Sequence, residues 1–334
     1  MSRRTAAPES GEDRLIARHF RPLARHPAAL GLADDAAVLT PPPGCDLVLT
    51  TDGIIAGVHV FPDETAEAVA RKALRVNLSD LAAKGAKPAG FLLSIALPAA
   101  TSEEWLAAFA RALGADAEHY GCPLLGGDTD KTPGPLSVSI AAFGTLPSGT
   151  MVRRSGARAG DVMFVSGTIG DATLGLMLRK GEGTGARLSA AARAHLLARY
   201  RLPEPRTALA EAVRVHASAA IDISDGLAGD LAKLCRASDV SARVEVDAVP
   251  FSDGARAMLA AEPALLETML TGGDDYEILA AVPAARAQDF RAAAAAAGVP
   301  VSEIGRIEPG DGPPQFLGRD RTPLAFDRPS YSHF

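Results

Sequence analysis

Short apolar runs recur along this chain and stop on the same kind of residue, a hydroxyl or an aspartate beside a glycine. The plainest case lies within Asp46 to His59. Leu47, Val48 and Leu49 form a run of the kind that makes a buried strand, and the run breaks at Thr50, Thr51, Asp52 and Gly53. Pro123 to Leu125 leads in the same way into Gly126, Gly127, Asp128 and Thr129. Ala219 to Ile223 leads through Asp222 into Ser224, Asp225 and Gly226. Thr271 to Glu277, reading TGGDDYE, precedes a further apolar run from Ile278 to Val282. The pattern predicts strands that end in acids. More strands are expected after Asp34 and Asp35, at Phe91 to Leu97, Leu136 to Gly144, Val162 to Ser166 and Val244 to Val249.

Helical periodicity fills the intervals. Helices are expected over Arg14 to Arg25, Asp63 to Lys84 and from Thr101 to about His119, the last opened by capping-box spacing at Thr101 and Glu104. Others follow from Gly170 to Lys180, after Ser189, over Arg206 to Ala217, Leu227 to Ser238 and Ala284 to Ala297. Asn77 and Asp80 stand one turn apart and interrupt an otherwise apolar helix surface, so an acid there wants a cation or a metal as partner. The alternation of strands and helices predicts an α/β (α+β) chain of two domains, 13–148 and 149–334, joined near Pro147 to Gly156.

Composition narrows the function. The 334 residues carry a net charge of −6, so no basic field suggests nucleic acid or an anionic membrane as partner. The longest apolar stretch, around Phe91 to Ala100, is too short to span a bilayer. Cys45, Cys122 and Cys235 form no CxxC pair and are expected to be small buried residues in a reducing cytoplasm.

The acids carry the chemistry. Any one of them is explained by a turn or a helix cap. Their recurrence with Thr, Ser and Gly, joined by helical Asp80, is not. Clustered carboxylates repel unless cations lie among them, and a donor set without His or Cys points to Mg²⁺. Several Mg²⁺ ions held by acids point to phosphate chemistry. There is no GxxxxGK[ST], GxSxG or HExxH, and no GxGxxG after a strand. Arg153 and Arg154 read either as a phosphate contact or as a basic interdomain turn. His59 reads as an ordinary histidine or, beside the acidic turn, as a substrate contact.

The motifs GLADDAAVL, TTDGIIAGVH, KALRVNLSDLAAKGAKP, LLGGDT, VRRSGARAGD, AIDISDGLAGDL and TGGDDYEI resemble thiamine-monophosphate kinase over nearly the whole chain. That family is akin to aminoimidazole ribonucleotide synthetase, selenophosphate synthetase and a hydrogenase-maturation dehydratase. The resemblance implies Mg²⁺-dependent transfer of the ATP γ-phosphate to thiamine phosphate, giving thiamine diphosphate. It implies a homodimer whose N-terminal domains form a β-barrel, with a C-terminal α/β domain. Carried onto matching positions, the metal shell is Asp35, Thr50, Thr51, Asp52, Asp80, Asp128, Asp222 and Asp225. ATP is touched by Tyr120, Gly127, Asp128, Arg154 and Ser224. Thiamine phosphate is faced by His59 and Asp274, with Arg328 where the family places an aromatic and Phe326 or Tyr331 as substitutes. Gly31-Leu32-Ala33 replaces the family's Gly-Ile-Gly and is expected to fit a tight turn less easily. The alternative is another ATP-dependent enzyme of the superfamily. Against it, no Cys stands near the start as in selenophosphate synthetase, and no cysteine-bearing tail as in the dehydratase.

Overall fold

The computed structural model describes residues 10–182, 188–327 and 330, so Arg328 and Tyr331 lie outside the described residues. The chain divides into two compact units. The first takes in the segment up to Pro42, Leu49–Asn77 and Pro88–Phe143; the second takes in Pro43–Val48, Leu78–Lys87 and the chain from Gly144 onward.

The first unit opens on α1 (Gly11–Leu15), where Ser10 and Asp13 cap each other's backbone N–H. A π-helical turn, Ile16–Phe20, continues it and buries His19 and Phe20. Pro22, which has no N–H to donate, stops the helix short of Arg25. Then come β1 (Cys45–Ile55), α2 (Ala66–Ala83), β2 (Lys87–Pro98), α3 (Glu103–His119), β3 (Leu124–Thr132) and β4 (Ser137–Pro147). The strands form one sheet in the order β1-β4-β2-β3. β2 and β3 are parallel, so a crossover must join them, and α3 is that crossover. Phe109 and Leu113 on α3 are fully buried.

Two expectations change here. No strand forms after Asp34 and Asp35; the chain from Ala36 to Leu39 is irregular, tied by the Val38 N–H to the Ala28 carbonyl at 3.0 Å. The strain of the preceding turn falls on Leu30 (φ 50°) and Leu32 (φ 53°), whereas Ala33 has an ordinary φ of −108°. Its methyl group therefore costs nothing.

The second unit contains β5 (Val162–Ser166), α4 (Asp171–Lys180), α5 (Ala190–Arg201), α6 (Ala210–His216), β6 (Ala219–Ile223) and α7 (Leu227–Ser238). It continues through β7 (Ser241–Glu245), α8 (Asp253–Ala261), α9 (Leu265–Thr271), β8 (Glu277–Val282), α10 (Ala287–Ala296), β9 (Val301–Glu308) and β10 (Gln315–Leu317). The expected strand to Val249 ends at Glu245 and passes into a 3₁₀ turn. Its strands form a mixed sheet, β10-β7-β9-β5-β8-β6, parallel only at β10–β7 among the pairings described.

Period-two alternation sends this unit's apolar side chains to opposite faces. Met163, Val165, Ile221, Ile223 and Leu279 pack with Leu174, Leu227, Leu231 and Met269. Val162, Phe164, Ala220, Ile278 and Ala280 pack with Val213, Phe290 and the last turn of α2 at Ala82 and Ala83. Asp222 shares the parity of Ala220, so it points to that second face.

Phe290 is 1% exposed, and its ring centre lies 5.2 Å from that of Phe164. Phe290→Ala is expected to cost about 3–5 kcal/mol, read as a lower urea midpoint. An unchanged midpoint contradicts the packing.

Candidate active site

In the first unit Asp52 and Asp128 stand within strands, not at their ends. Thr50, Thr51 and Asp52 occupy the middle of β1. Thr50 and Asp52 share a face with buried Val48 and Ile54; the Thr51 side chain belongs to the other face, with Leu49 and Ile55. The pleat thus separates the Thr51 hydroxyl from the Asp52 carboxylate, and that hydroxyl donates to the Ile140 carbonyl at 3.0 Å. The Asp52 N–H donates at 3.0 Å to the side-chain oxygen of Asn77, which is fully buried on α2. Asn77 in turn donates to the Ala73 carbonyl.

His59 sits in the turn after β1. Its Nδ1 accepts from the Ile55 N–H at 3.0 Å, so the proton of the neutral ring is on Nε2. Its carbonyl accepts at 3.1 Å from Lys72, a lysine only 1% exposed. Asp128 is exposed on β3 opposite Ser94 and accepts from the Thr129 N–H at 2.9 Å. Gly127 has a packing cause of its own: a Cβ there would lie 1.9 Å from the Leu93 carbonyl oxygen. Tyr120 follows α3 with the Arg75 guanidinium 5.7 Å from its ring centre, and Arg75 forks onto Asp116 at 2.6 and 3.1 Å. Asp35 is exposed in the irregular segment, its N–H held by Asp34 at 2.8 Å.

In the second unit Asp222 is buried on β6. Ser79, on α2, donates to its carboxylate at 3.0 Å. Burial, then the charges of Asp80 and Asp230, push the Asp222 carboxyl well above the usual carboxylate range, against the pull of Ser79 and Lys84. Lys84 donates to the Ala220 carbonyl at 2.6 Å. Burial brings its ammonium down to about 8, opposed by Asp222 and Asp80 and assisted by the charge of Arg154. Asp80, Asp222, Lys84 and Arg154 are thus electrostatic neighbours. Arg154 itself is exposed, and Ser238 holds its loop by donating to the Arg154 carbonyl and accepting from Gly156 and Ala157.

The corner after β6 is held from α7. One oxygen of buried Asp230 accepts from the N–H groups of Ser224 (3.0 Å) and Asp225 (2.9 Å). Lys233 bridges the other oxygen at 2.8 Å to the Asp225 carboxylate at 2.5 Å. Asp274 lies against the same corner, its N–H donating to the Ser224 carbonyl at 2.9 Å. Phe326 packs edge-on against Phe316 at 5.1 Å. Cys122 and Cys235 are buried, but Cys45 is only half-buried, which corrects the expectation of three buried thiols.

Among the described residues no three His, Cys, Asp or Glu side chains gather into a metal-holding group. Sequence reasoning passed over Ser79, Lys84, Asp230 and Lys233. Asp230 and Lys233 stand one turn apart at the start of an amphipathic helix, a readable i,i+3 pair. Lys84 and Ser79 carry no such mark, because their partners lie far along the chain.

The model for the N-terminal domain of AIR synthase related proteins matches residues 33–146, and that for the C-terminal domain matches 158–313. This defines the class: a two-domain α/β fold of the AIR synthase related kind. A thiamine-monophosphate kinase of Caulobacter vibrioides is 48% identical over 95% of this chain and 90% of its own length. The crystal structure of thiamine-monophosphate kinase from Stenotrophomonas maltophilia K279a is 37% identical, with a TM-score of 0.80, over 92% of this chain and 95% of that one. AaThiL complexed with AMPPCP and TMP is 30% identical, with a TM-score of 0.76, over 88% of this chain and 89% of that one. The chain belongs to the thiamine-monophosphate kinase family.

Asp230→Ala leaves two backbone N–H groups and Lys233 without their carboxylate, and is expected to cost about 1–3 kcal/mol in urea unfolding. Asp230→Asn keeps an accepting oxygen and should lose less. Equal losses would show that the two N–H bonds do not hold the corner.

Proposed function

We infer that this protein transfers the γ-phosphate of ATP to thiamine phosphate, giving ADP and thiamine diphosphate. The observation that carries the reading is the 48% identity along 95% of the chain to a thiamine-monophosphate kinase. The acceptor phosphate is ionised at neutral pH, so the reaction needs no general base. Catalysis then rests on positioning and on neutralising charge.

The donor chemistry fits a hard cation. Asp80 and Asp222 are electrostatic neighbours that repel each other, and Ser79 and Lys84 offset part of that repulsion. In this reading Asp35, Thr50, Thr51, Asp52, Asp80, Asp128, Asp222 and Asp225 hold Mg²⁺. Thr51 would have to use its backbone carbonyl or turn its side chain. Mg²⁺ is bound through few carboxylates together with phosphate oxygens and water, and when bound it offsets the charge of those oxygens. Tyr120, Gly127, Asp128, Arg154 and Ser224 take ATP. The Arg154 guanidinium supplies a fixed positive charge, and the Ser224 backbone is held still by Asp230. His59 offers its Nε2–H to the acceptor phosphate, and Asp274 takes the other side of thiamine phosphate with Arg328.

In this reading the domains are 13–148 and 149–334, and the enzyme is cytoplasmic. Two copies form a homodimer by joining their N-terminal sheets into a barrel. What supports this is β1, which stands at the end of its sheet and shows Leu49 at 64% and Ile55 at 36% exposure. Leu92 adds to the exposed apolar side chains of that sheet at 37%.

Formation of ADP and thiamine diphosphate from Mg-ATP and thiamine phosphate, run beside free thiamine, tests the reaction. Both products in equal amounts from thiamine phosphate alone are expected; ATP binding without turnover would move the substrate elsewhere in the superfamily. Asp52→Asn should lower kcat by about 10²–10³-fold with an unchanged melting point, since it removes a charge and leaves no cavity. Wild-type turnover in that variant ends its role as a metal ligand. Light scattering of a Leu49→Glu, Ile55→Glu double variant should give the monomer mass where the wild type gives the dimer. A wild type of monomer mass contradicts the homodimer.

A further inference from the structure

The turn from Gly272 to Tyr276, between α9 and β8, holds two non-glycine residues in the left-handed region, Asp274 at φ 73° and Tyr276 at φ 52°. Such backbone persists only where its surroundings over-determine it. A Cβ on Gly273 would lie 2.3 Å from the Ser224 carbonyl oxygen, so the turn is pressed against the corner after β6. The N–H of Asp274 donates to the Ser224 carbonyl at 2.9 Å and that of Tyr276 to Ile223 at 2.8 Å.

The carbonyls on either side of Asp274 are clamped as well. Thr173, on α4, donates its hydroxyl to the Gly273 carbonyl at 3.1 Å. Arg199, on α5 and 4% exposed, donates one nitrogen to the Asp275 carbonyl at 2.9 Å and to the Glu277 carboxylate at 2.8 Å. Its other terminal nitrogen lies 3.3 Å from Glu204 without a directed hydrogen bond. Glu277 is fully buried and also accepts from Arg206 at 2.6 and 2.5 Å and from Ser166 at 2.5 Å. The Asp275 carboxylate turns inward and accepts from the N–H groups of Gly170 (2.7 Å) and Ala172 (3.3 Å). The groups named around Asp274 are thus tied to α4, α5 and the corner after β6.

We propose that Thr173 and Arg199 are positioning residues for the phosphoryl acceptor: by holding the carbonyls on either side of Asp274 they keep its strained backbone, and so its carboxylate, where thiamine phosphate binds. The proposal rests on Asp274 facing that substrate. Neither residue touches a reacting atom. Loss of either clamp lets Asp274 relax toward an ordinary φ and carries its carboxylate away. Even small displacements are costly in a preorganised site.

The test is steady-state kinetics of Thr173→Val, Arg199→Lys and Asp274→Ala, with Thr173→Val also built into Asp274→Ala. Thr173→Val keeps the side-chain shape and removes a single hydrogen bond; Arg199→Lys keeps the charge and loses the fork. Each is expected to raise KM for thiamine phosphate, by about 5–10-fold for Thr173→Val and more for Arg199→Lys, with KM for ATP within about twofold of wild type. In the Asp274→Ala background Thr173→Val should add nothing, because the group it positions is gone. A lowered kcat or melting point with unchanged KM for thiamine phosphate in Thr173→Val overturns the proposal. So does an effect that persists undiminished beside Asp274→Ala. If Asp274→Ala itself keeps the wild-type KM, the Asp274 contact falls and the proposal with it. If the wild type does not turn over thiamine phosphate, the function itself falls.

Discussion

A carboxylate taken out of water must be met by donors or by a cation, and that constraint organises the second unit. Asp275 and Glu277 meet it with backbone N–H groups and arginine forks. Asp171, also fully buried, meets it with Thr168, His195 and Ser252. Asp230 meets it with two backbone N–H groups and Lys233. These are satisfied groups, and each fixes a turn or a helix end. Asp222 is different. It has one hydroxyl donor in Ser79, a lysine whose own charge is weakened by burial, and a second acid, Asp80, beside it. Its electrostatic neighbours include acids as well as a cation, which sets it apart from the carboxylates clamped by backbone N–H groups.

The first unit solves the opposite problem. Asp35, Asp52 and Asp128 are exposed, so their contribution depends on where the backbone holds them. Asn77 fixes β1 at Asp52, and the close passage of Gly127 across Leu93 fixes β3 at Asp128. His59 is held at both ends, by the Ile55 N–H on its ring and by Lys72 on its carbonyl. Rigid strands carry these groups more accurately than loops would, which suits chemistry that depends on placement.

Much of the element order was legible from hydrophobic period alone. α7 runs from Leu227 to Ser238 as its amphipathic pattern requires, and β5 and β6 have the expected bounds. The misreadings came from local punctuation. Gly-Gly-Asp looks like a turn, yet in β3 it continues the strand, because the glycines answer a close neighbouring strand and not a bend. Thr50-Thr51-Asp52 reads as a strand end but lies mid-strand, paired in a sheet whose partners no local window contains. After Asp34 and Asp35 the apolar residues found no partner strand and stayed irregular.

The sequence by itself determined which residue types were present and at what spacing: acids with hydroxyls and glycines, no P-loop, and a set of ordered motifs that narrows the family. Those follow from covalent order. Only the tertiary structure decided which donors meet which acids, that Thr51 faces away from Asp52, and that Ser79 donates to Asp222 with Lys84 as its charged neighbour. It also decided that Arg199 and Thr173 bracket Asp274. The physical reason is that partnership is set by strand pairing and helix packing between segments far apart in the chain, and a charge or a donor is defined by what finally stands beside it.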